Sequence, residues 1–531
     1  MTQPEHVRIA VDHGTATVAV SLLGRVDGHW RLLASDAAPA AVGPDAVARS
    51  LVRAVHAADT SLGRLVGPPA GIRAIPRLVS RSVPPPGVAI LGAGARRRET
   101  LGRVAGTAGL RVVGDPEADG PIAALAAALH PDVTVVLVGS AQNPPSDERG
   151  AADGLIAILG SVVQRRPDVT IVASGAIAER AVGPLGGRVV VAPAAGASAA
   201  DDLELRNMLL EIALPADATR RGIVAAAREL ALLLEIRVEV VEVGQGAGMR
   251  AVAWPAGEGA AASEARVAIV PAGALVPLDP GDDITDGIAA WSTVGQDRVR
   301  LRDRLAELRL MPWGDPEGEG AHLRLAATRA AVGRMVALAP DVDALPTPDL
   351  LVAAGGPWNA APPPAVALAL LDTVRHAGAT QLAIDHARLL GPLGLVEDPG
   401  ERRELIADLV DDLLLPLGTV VVPRGVRAAR GAIGRLALRG EGDAEPELEL
   451  TAGAVHLVDL PPGRSAIADL SFRETVNLGV RGRHFALPVV GGLGGLLVDL
   501  RDVPLRLPSR PDRRREQLAA WQRPLWPDAE R

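Results

Sequence analysis

The sequence predicts an α/β chain of several lobes, on three observations. Its 531 residues exceed what one hydrophobic core usually serves, so two to four lobes of roughly 100–200 residues each are expected. Between about residue 88 and residue 191, short apolar β-type runs alternate with helical segments, the signature of a parallel, doubly wound sheet. A strand, turn and strand at the start of the chain, around Asp12, returns about 230 residues later around Glu242. A repeat of that shape carries more than either copy alone.

Taken in order, Val7 to Val11 is a β-type run, Asp12-His13-Gly14-Thr15 a turn, and Thr17 to Leu23 extended again before a second turn at Val26-Asp27-Gly28. A helical segment spans Asp45 to Ala58, and prolines 84–86 lead into a strand at Val88 to Leu91. The alternating region then reads Arg111 to Val113, Pro121 to Leu129, Val133 to Gly139, Gly154 to Gln164, Val169 to Ala173 and Arg188 to Val191. Leu203 to Leu214 and Arg221 to Leu234 are helices, with Asp217 as a start signal between them. Strand character returns at Arg237 to Val243, breaks at the glycine-rich 244–248, and resumes at Arg250 to Trp254. His322 to Leu338 is helical, and Asp349 to Ala354 is a buried strand closed by Gly355-Gly356. Then come a helix near Ala365 to His376, a strand at Gln381 to Ile384 and an acidic helix at Glu401 to Leu414. From about Gly418 the chain is β-rich, with strands at Val420 to Val422, Ala432 to Leu438, Glu447 to Leu450 and Leu496 to Leu500, which reads as a separate C-terminal lobe.

Composition narrows the function classes. The basic residues are all Arg, 55 against 63 acidic ones, for a formal charge of -8. With aromatics at 2%, no Tyr and two Phe, neither a phosphate-neutralising face nor a base-stacking platform is expected, which argues against nucleic acid as a partner. The absence of Cys removes disulfides, thiolate metal sites and thiol nucleophiles. The polar start of the chain has no basic-then-apolar leader, and Leu487 to Leu500 is broken by Pro488 and four glycines. These features predict a cytoplasmic chain with no membrane partner.

Other motifs are weaker. The ten His residues show no His-Glu-x-x-His spacing. Ser174, after a strand, lacks the Gly-x-Ser-x-Gly elbow of a hydrolase. Asp282-Asp283 with Asp286 reads as a solvated helix start, and Arg96-Arg97-Arg98 and Arg513-Arg514-Arg515 as exposed helix faces or docking surfaces.

The two hairpins and the later Gly-Gly turn are the parts that an actin-like ATPase uses. A tight β-turn offers backbone N–H groups to phosphate oxygens, while a turn carboxylate orders the water shell of Mg²⁺. Asp12, Gly14, Thr15 and Thr17 supply the first set, Glu242, Gly244 and Gly246 the second, and Gly355-Gly356 would let an adenosine approach the backbone. Asp12 and Glu242 are the candidate carboxylates for metal and chemistry. The bland alternatives are an ordinary Asp-containing hairpin, a glycine turn that binds nothing and an isolated Gly-Gly after a strand.

Ile9-Ala10-Val11-Asp12-His13-Gly14-Thr15, Val240-Val241-Glu242-Val243-Gly244 and Val352-Ala353-Ala354-Gly355-Gly356 fall in an order that resembles the glutamate mutase L family, as a divergent member. Prolines 362–364 with Leu370-Leu371-Asp372, Leu382-Ala383-Ile384-Asp385 with Leu393-Gly394, and the glycine-rich run 490–499 add to the likeness, which spans about 7 to 500. The family is an actin-like ATPase branch associated with adenosylcobalamin-dependent carbon-skeleton mutases. The resemblance implies a ribonuclease H-like duplicated fold: 1–85 as the first half of the core, 86–200 an inserted α/β segment, 201–415 the second half and 416–531 a β-rich lobe and tail. It also implies ATP or ADP with Mg as ligands, no cobalamin on this chain itself, and a mutase subunit as partner. The chain departs from the family pattern in two places. Val18-Ala19 stands where a Lys is usual, and Glu242 replaces Asp without the Thr run that follows it. These changes imply a chain that holds nucleotide better than it cleaves it. The rivals are a pseudo-ATPase scaffold and a small-molecule kinase on the same fold, whose catalytic Asp the sequence does not single out.

Overall fold

The computed structural model describes residues 6–114, 120–257, 259, 261–270, 282–295, 297–312, 314–315, 317–339, 342, 345–426, 431–440 and 447–526. The side chains of Asp282 and Asp283, two of the three acidic residues of the cluster noted above, lie outside the described set. Chain contacts divide the molecule into two compact units, one built from residues 83–218 with a strand end near 269, the other from the rest.

The larger unit begins with β1 (Val7–His13), β2 (Thr17–Val26) and β3 (His29–Pro39). Asp27 and Gly28, at φ 53° and 88°, make the tight β2–β3 turn, matching the right-handed twist of the strands it joins. With β4 (Arg77–Arg81) the sheet order is β3-β2-β1-β4, β1 antiparallel to β2 and parallel to β4. Helix α1 (Pro44–Ala58) starts on a proline and lays Val47, Leu51, Val52 and Val55 against this sheet, and α2 (Thr60–Val66) is capped by Asp59. Each such buried aliphatic contributes about 1.5–3 kcal/mol.

The smaller unit alternates β5 (Gly87–Gly92), α3 (Ala95–Thr107), β6 (Arg111–Val112), α4 (Pro121–Ala128), β7 (Val133–Gly139), α5 (Ser146–Arg165), β8 (Thr170–Ser174), α6 (Ile177–Leu185), β9 (Val189–Ala192) and α7 (Ala199–Ala213). Its strands are all parallel in the order β6-β5-β7-β8-β9. Helices α3 and α7 pack on one face of the sheet and α4, α5 and α6 on the other. Buried on both sides, Val135 to Val138 read as an unbroken apolar run rather than an alternation.

The larger unit resumes with α8 (Ala218–Leu234), β10 (Val238–Val243), β11 (Gly248–Pro255), β12 (Ser263–Val270), α9 (Asp282–Trp291), α10 (Arg298–Leu310) and α11 (Glu319–Leu338). There follow β13 (Leu350–Ala354), α12 (Pro363–Thr373), β14 (Gly378–Ile384), α13 (Leu390–Gly394), α14 (Pro399–Leu413) and β15 (Leu415–Val422). The order β12-β11-β10-β13 repeats β3-β2-β1-β4, again with the first hairpin antiparallel and its first strand parallel to the next, and β14 extends it. That doubled order is the ribonuclease H-like arrangement of an actin-like duplicated α/β fold.

The C-terminal region corrects the expected boundaries. After β16 (Ala432–Arg439), β17 (Leu448–Thr451), β18 (Val455–Val458), β19 (Ser465–Asn477), β20 (Arg481–Val490) and β21 (Leu496–Asp499), the chain ends its described part with α15 (Pro511–Gln522). Only β17-β16-β19-β20 form a sheet of their own. Strands β15, β21 and β18 instead extend the second core sheet, because their residues complete its hydrogen-bond ladder and share a core with the antiparallel sheet through Val421, Leu496 and Val498. The inserted unit likewise runs to 218 rather than 200, since α7 packs on its own sheet.

Candidate functional site

The two hairpins are built alike. In the first, the Gly14 N–H donates to the Thr17 carbonyl at 3.0 Å, and in the second the Gly244 N–H donates to the Ala247 carbonyl at 3.0 Å. Their carboxylates meet different surroundings. Asp12 is half-buried at the end of β1, and its Oδ1 accepts from the Ser80 hydroxyl at 2.7 Å and the Thr219 hydroxyl at 3.0 Å. Both donors are neutral hydroxyls, and both meet the same oxygen. Among the described residues nothing bonds to Oδ2.

Close helix packing places those two hydroxyls. Helix α8, which carries Thr219, crosses α13 at Gly222, where an added Cβ would stand 2.0 Å from the Gly391 carbonyl oxygen. A Cβ on Gly394 would come within 1.8 Å of the Gly222 carbonyl, and one on Gly391 within 2.8 Å of the Ser80 hydroxyl. Only glycine allows this approach.

Glu242, expected to hold a metal's water shell, does not take that position. It is buried and paired with Arg220, whose Nε lies 3.1 Å from Glu242 Oε2 and whose Nη2 donates to the Ala247 carbonyl at 3.1 Å. The guanidinium therefore stitches the second hairpin shut. A Cβ on Gly244 would press on Glu242 Oε1 at 2.8 Å. Thr15 and Gly246, at the two hairpin tips, are exposed.

Gly355 has a different reason from the expected one. At φ 98° its added Cβ would meet the Val243 carbonyl oxygen at 2.2 Å, so it lets the second hairpin lie on the Gly-Gly turn rather than making room for a ligand. Gly356 faces Arg388, whose Nη2 would be 2.5 Å from a Cβ there. The same guanidinium donates through Nη1 to the Thr17 hydroxyl at 2.6 Å. Arg388, at φ 53°, thus spans the first hairpin and the Gly-Gly turn.

Behind it lies Asp385, fully buried at the end of β14. Its carboxylate accepts from the N–H groups of Leu389 at 2.8 Å and Leu390 at 3.1 Å. Burial pushes its pKa up to about 7, and the charge of Asp12 adds to the rise, while those two N–H bonds and Arg388 oppose it. Both of its oxygens are thus tied to backbone N–H groups of the turn that follows.

Structure therefore gathers Asp12, Thr17, Gly355 and Gly356 with residues that motif reading missed: Ser80, Thr219, Arg220 and Arg388. Ser80 and Thr219 sit in unremarkable local sequence, and only their convergence marks them. Arg388, three residues after the quoted Asp385, was within reach as a cation beside a strand-end carboxylate. No cluster of three or more His, Cys, Asp or Glu fit to hold a metal occurs among the described residues, and no helix there is long and apolar enough to cross a membrane.

No protein-family model matches the chain, and no curated protein matches it. Among solved structures it is similar to a Ppx/GppA family member of Aquifex aeolicus, at 10% identity and TM-score 0.21 over 76% of this chain and 90% of that one. A nucleotide-free acetone carboxylase follows at 11% identity and TM-score 0.26, over 84% and 81%. An exopolyphosphatase from Cytophaga hutchinsonii aligns at 9% identity and TM-score 0.18, over 76% and 87%. Superpositions this loose add nothing to the strand order, on which the fold rests.

Proposed function

We propose that the chain is a nucleotide-binding protein that holds a magnesium nucleotide at its first hairpin and turns it over poorly. The observation that carries this reading is Arg388, a cation held between Thr17 of the first hairpin and Gly356 of the Gly-Gly turn. Phosphate at that point would meet a guanidinium suited to bidentate contact and the N–H groups of the turn. Asp12 fits a magnesium water shell, because Oδ1 is oriented by two hydroxyls and Oδ2 stays open. When bound, the metal would neutralise phosphate charge, and the protein's part is to fix where that charge sits. The second hairpin contributes no matching carboxylate, since Glu242 is spent on Arg220. Holding without efficient cleavage follows from that asymmetry.

The finer reading, an accessory protein that services an adenosylcobalamin-dependent mutase, is supported by the order of the short motifs alone. Neighbouring genes and co-purification with a mutase subunit bear on it directly.

Calorimetric titration with Mg-ATP and Mg-ADP tests the binding. We expect one site, weakened at least about tenfold by Asp12→Ala and by Arg388→Ala, which is roughly 1.4 kcal/mol or more each. No detectable binding to the wild type leaves the scaffold reading, and stoichiometric phosphorylation of a metabolite would instead make the chain a kinase.

A further inference from the structure

Arg388, the cation that joins the first hairpin to the Gly-Gly turn, has a backbone conformation that arginine rarely adopts. Its φ of 53° lies in the left-handed region, which is strained for a residue with a Cβ and persists only where the surroundings over-determine it. The turn that carries it runs from the end of β14 to the start of α13 and is fastened at each residue. The Asp385 N–H donates to the Ala353 carbonyl of β13 at 2.9 Å, and the His386 carbonyl accepts from the Asn359 side chain at 3.3 Å. The Ala387 carbonyl accepts from the Ser21 hydroxyl of β2 at 3.3 Å, and the Arg388 N–H donates to the Asp385 carbonyl at 3.3 Å.

What closes the turn around Arg388 is the Asp385 side chain. Oδ1 accepts from the Leu389 N–H at 2.8 Å and Oδ2 from the Leu390 N–H at 3.1 Å, so the carboxylate reaches over Arg388 to the two residues that follow it. Those N–H groups stand at the start of α13, where the helix itself supplies no acceptor. Asp385, Leu389 and Leu390 are all buried, so loss of the carboxylate would leave two donors shut away from solvent and unpaired. The turn would have to open to satisfy them, and the left-handed conformation of Arg388 would go with it. Burial raises the Asp385 pKa and Arg388 is among the groups that oppose the rise, so attraction between the two charges adds to the hydrogen bonds.

We infer that Asp385 is a positioning residue of the hairpin site: it closes the turn that aims the Arg388 guanidinium at phosphate, without touching the ligand itself. The guanidinium then needs no reordering when phosphate arrives, since its Nη1 already donates to the Thr17 hydroxyl at 2.6 Å. The part of this inference that concerns a ligand rests on the nucleotide reading above, whereas the holding of Arg388 stands apart from it.

Two measurements on the full-length chain test it. Trypsin cuts after arginine, and native proteolysis read by mass spectrometry should show the Arg388–Leu389 bond resistant in the wild type and cut at least about tenfold faster in Asp385→Ala. Urea midpoints taken on both chains separate local opening of the turn from global unfolding. Titration with Mg-ATP then forms a double-mutant cycle. Asp385→Ala should weaken binding at least about tenfold in the wild type and less than about twofold in Arg388→Ala, because a residue that acts through Arg388 has nothing left to act on. A merely structural role would give the same loss in both backgrounds. Equal cleavage at Arg388 with and without the carboxylate, or additive losses in the cycle, overturns the inference. If the wild type binds no Mg-ATP, the nucleotide reading falls and the proteolysis still decides whether Asp385 holds Arg388. Should Asp385→Ala fail to fold, Asp385→Asn, which keeps one of the two acceptors, carries both measurements with smaller effects in the same direction, and no effect in either overturns the inference.

Discussion

At the scale of single residues, the site is governed by what each carboxylate has for company. Glu242 and Arg220 are each about 5% exposed at the side chain, so neither charge has water to fall back on. Removing one partner of such a pair strands the other and costs about 3–5 kcal/mol. Arg220→Leu should therefore lower the urea midpoint markedly, whereas Glu242→Asp, with its carboxylate still facing Arg220, should not restore a second metal-side group. Nucleotide turnover measured on Glu242→Asp checks the latter, with no gain over wild type expected. Asp385 makes a pH prediction. Its folded pKa of about 7 stands above the ordinary 3.8, so between those values the folded chain holds a proton that the unfolded chain has released. Its contribution to stability is full below the unfolded pKa and is lost as pH rises through about 7. Urea unfolding at about pH 5.5 and 8.5 should show the wild type losing stability with rising pH, and Asp385→Asn should lack that component.

At the scale of elements, the crossing of α8 and α13 has the least room to give. A methyl at Gly222 or Gly394 would stand 2.0 or 1.8 Å from a carbonyl oxygen of the other helix, a clash with backbone that no rotamer relieves. Gly222→Ala should cost at least about 1–3 kcal/mol by thermal or urea melting and should weaken Mg-nucleotide binding, because Thr219 and Ser80 move with the crossing. The acidic helix α14 has its own task. Asp408 and Asp412 accept from the Trp30 and Leu32 N–H groups at 2.9 and 3.0 Å, blunting the open edge of β3 that would otherwise invite pairing with another chain. Burial raises the Asp408 pKa, but the Trp30 N–H and His29 outweigh it and hold the group below its ordinary value.

At the scale of the whole molecule, the two units keep separate cores. The smaller one packs Leu101, Val104, Leu205 and Leu209 on one face of its sheet and Leu159, Val162, Ile177 and Ala178 on the other. A fragment covering 83–218 should fold alone, giving an α/β circular dichroism spectrum and a cooperative melt. A non-cooperative melt would mean that this core depends on the rest of the chain. The larger unit ties its C-terminal strand into the second core sheet through a buried network. Arg501 pairs with Asp372 at 2.6 Å and Asp499 at 2.7 Å, Arg329 with Asp372 at 2.7 Å, and Arg375 with Asp499. Burial alone would raise the Asp499 pKa, yet Arg501 and Arg375 hold it at about 2. That stabilisation is present above the ordinary carboxylate range and is lost only as pH falls through about 2.

Much of this was written in the chain itself. The alternation of buried strands and helices, the two hairpins and the Gly-Gly turn are local patterns of period and turn chemistry, and their order along the chain is a sequence property. Strands β3 and β4 escaped because neither reads as a buried β-type run: β3 is a half-exposed edge that ends in Ala-Ser-Asp-Ala-Ala-Pro, and β4 is Arg-Leu-Val-Ser-Arg. The separate C-terminal lobe was a misreading for a related reason. A β-type run says that a strand forms, not which sheet it joins, and the ladder of β15, β21 and β18 is set by partners far away in sequence. The same limit applies at the site. Sequence alone determined that Asp12 and Glu242 sit on equivalent turns. Tertiary structure decided that one faces two hydroxyls and the other a buried guanidinium, because a carboxylate's charge state and reach depend on neighbours that folding brings from other elements.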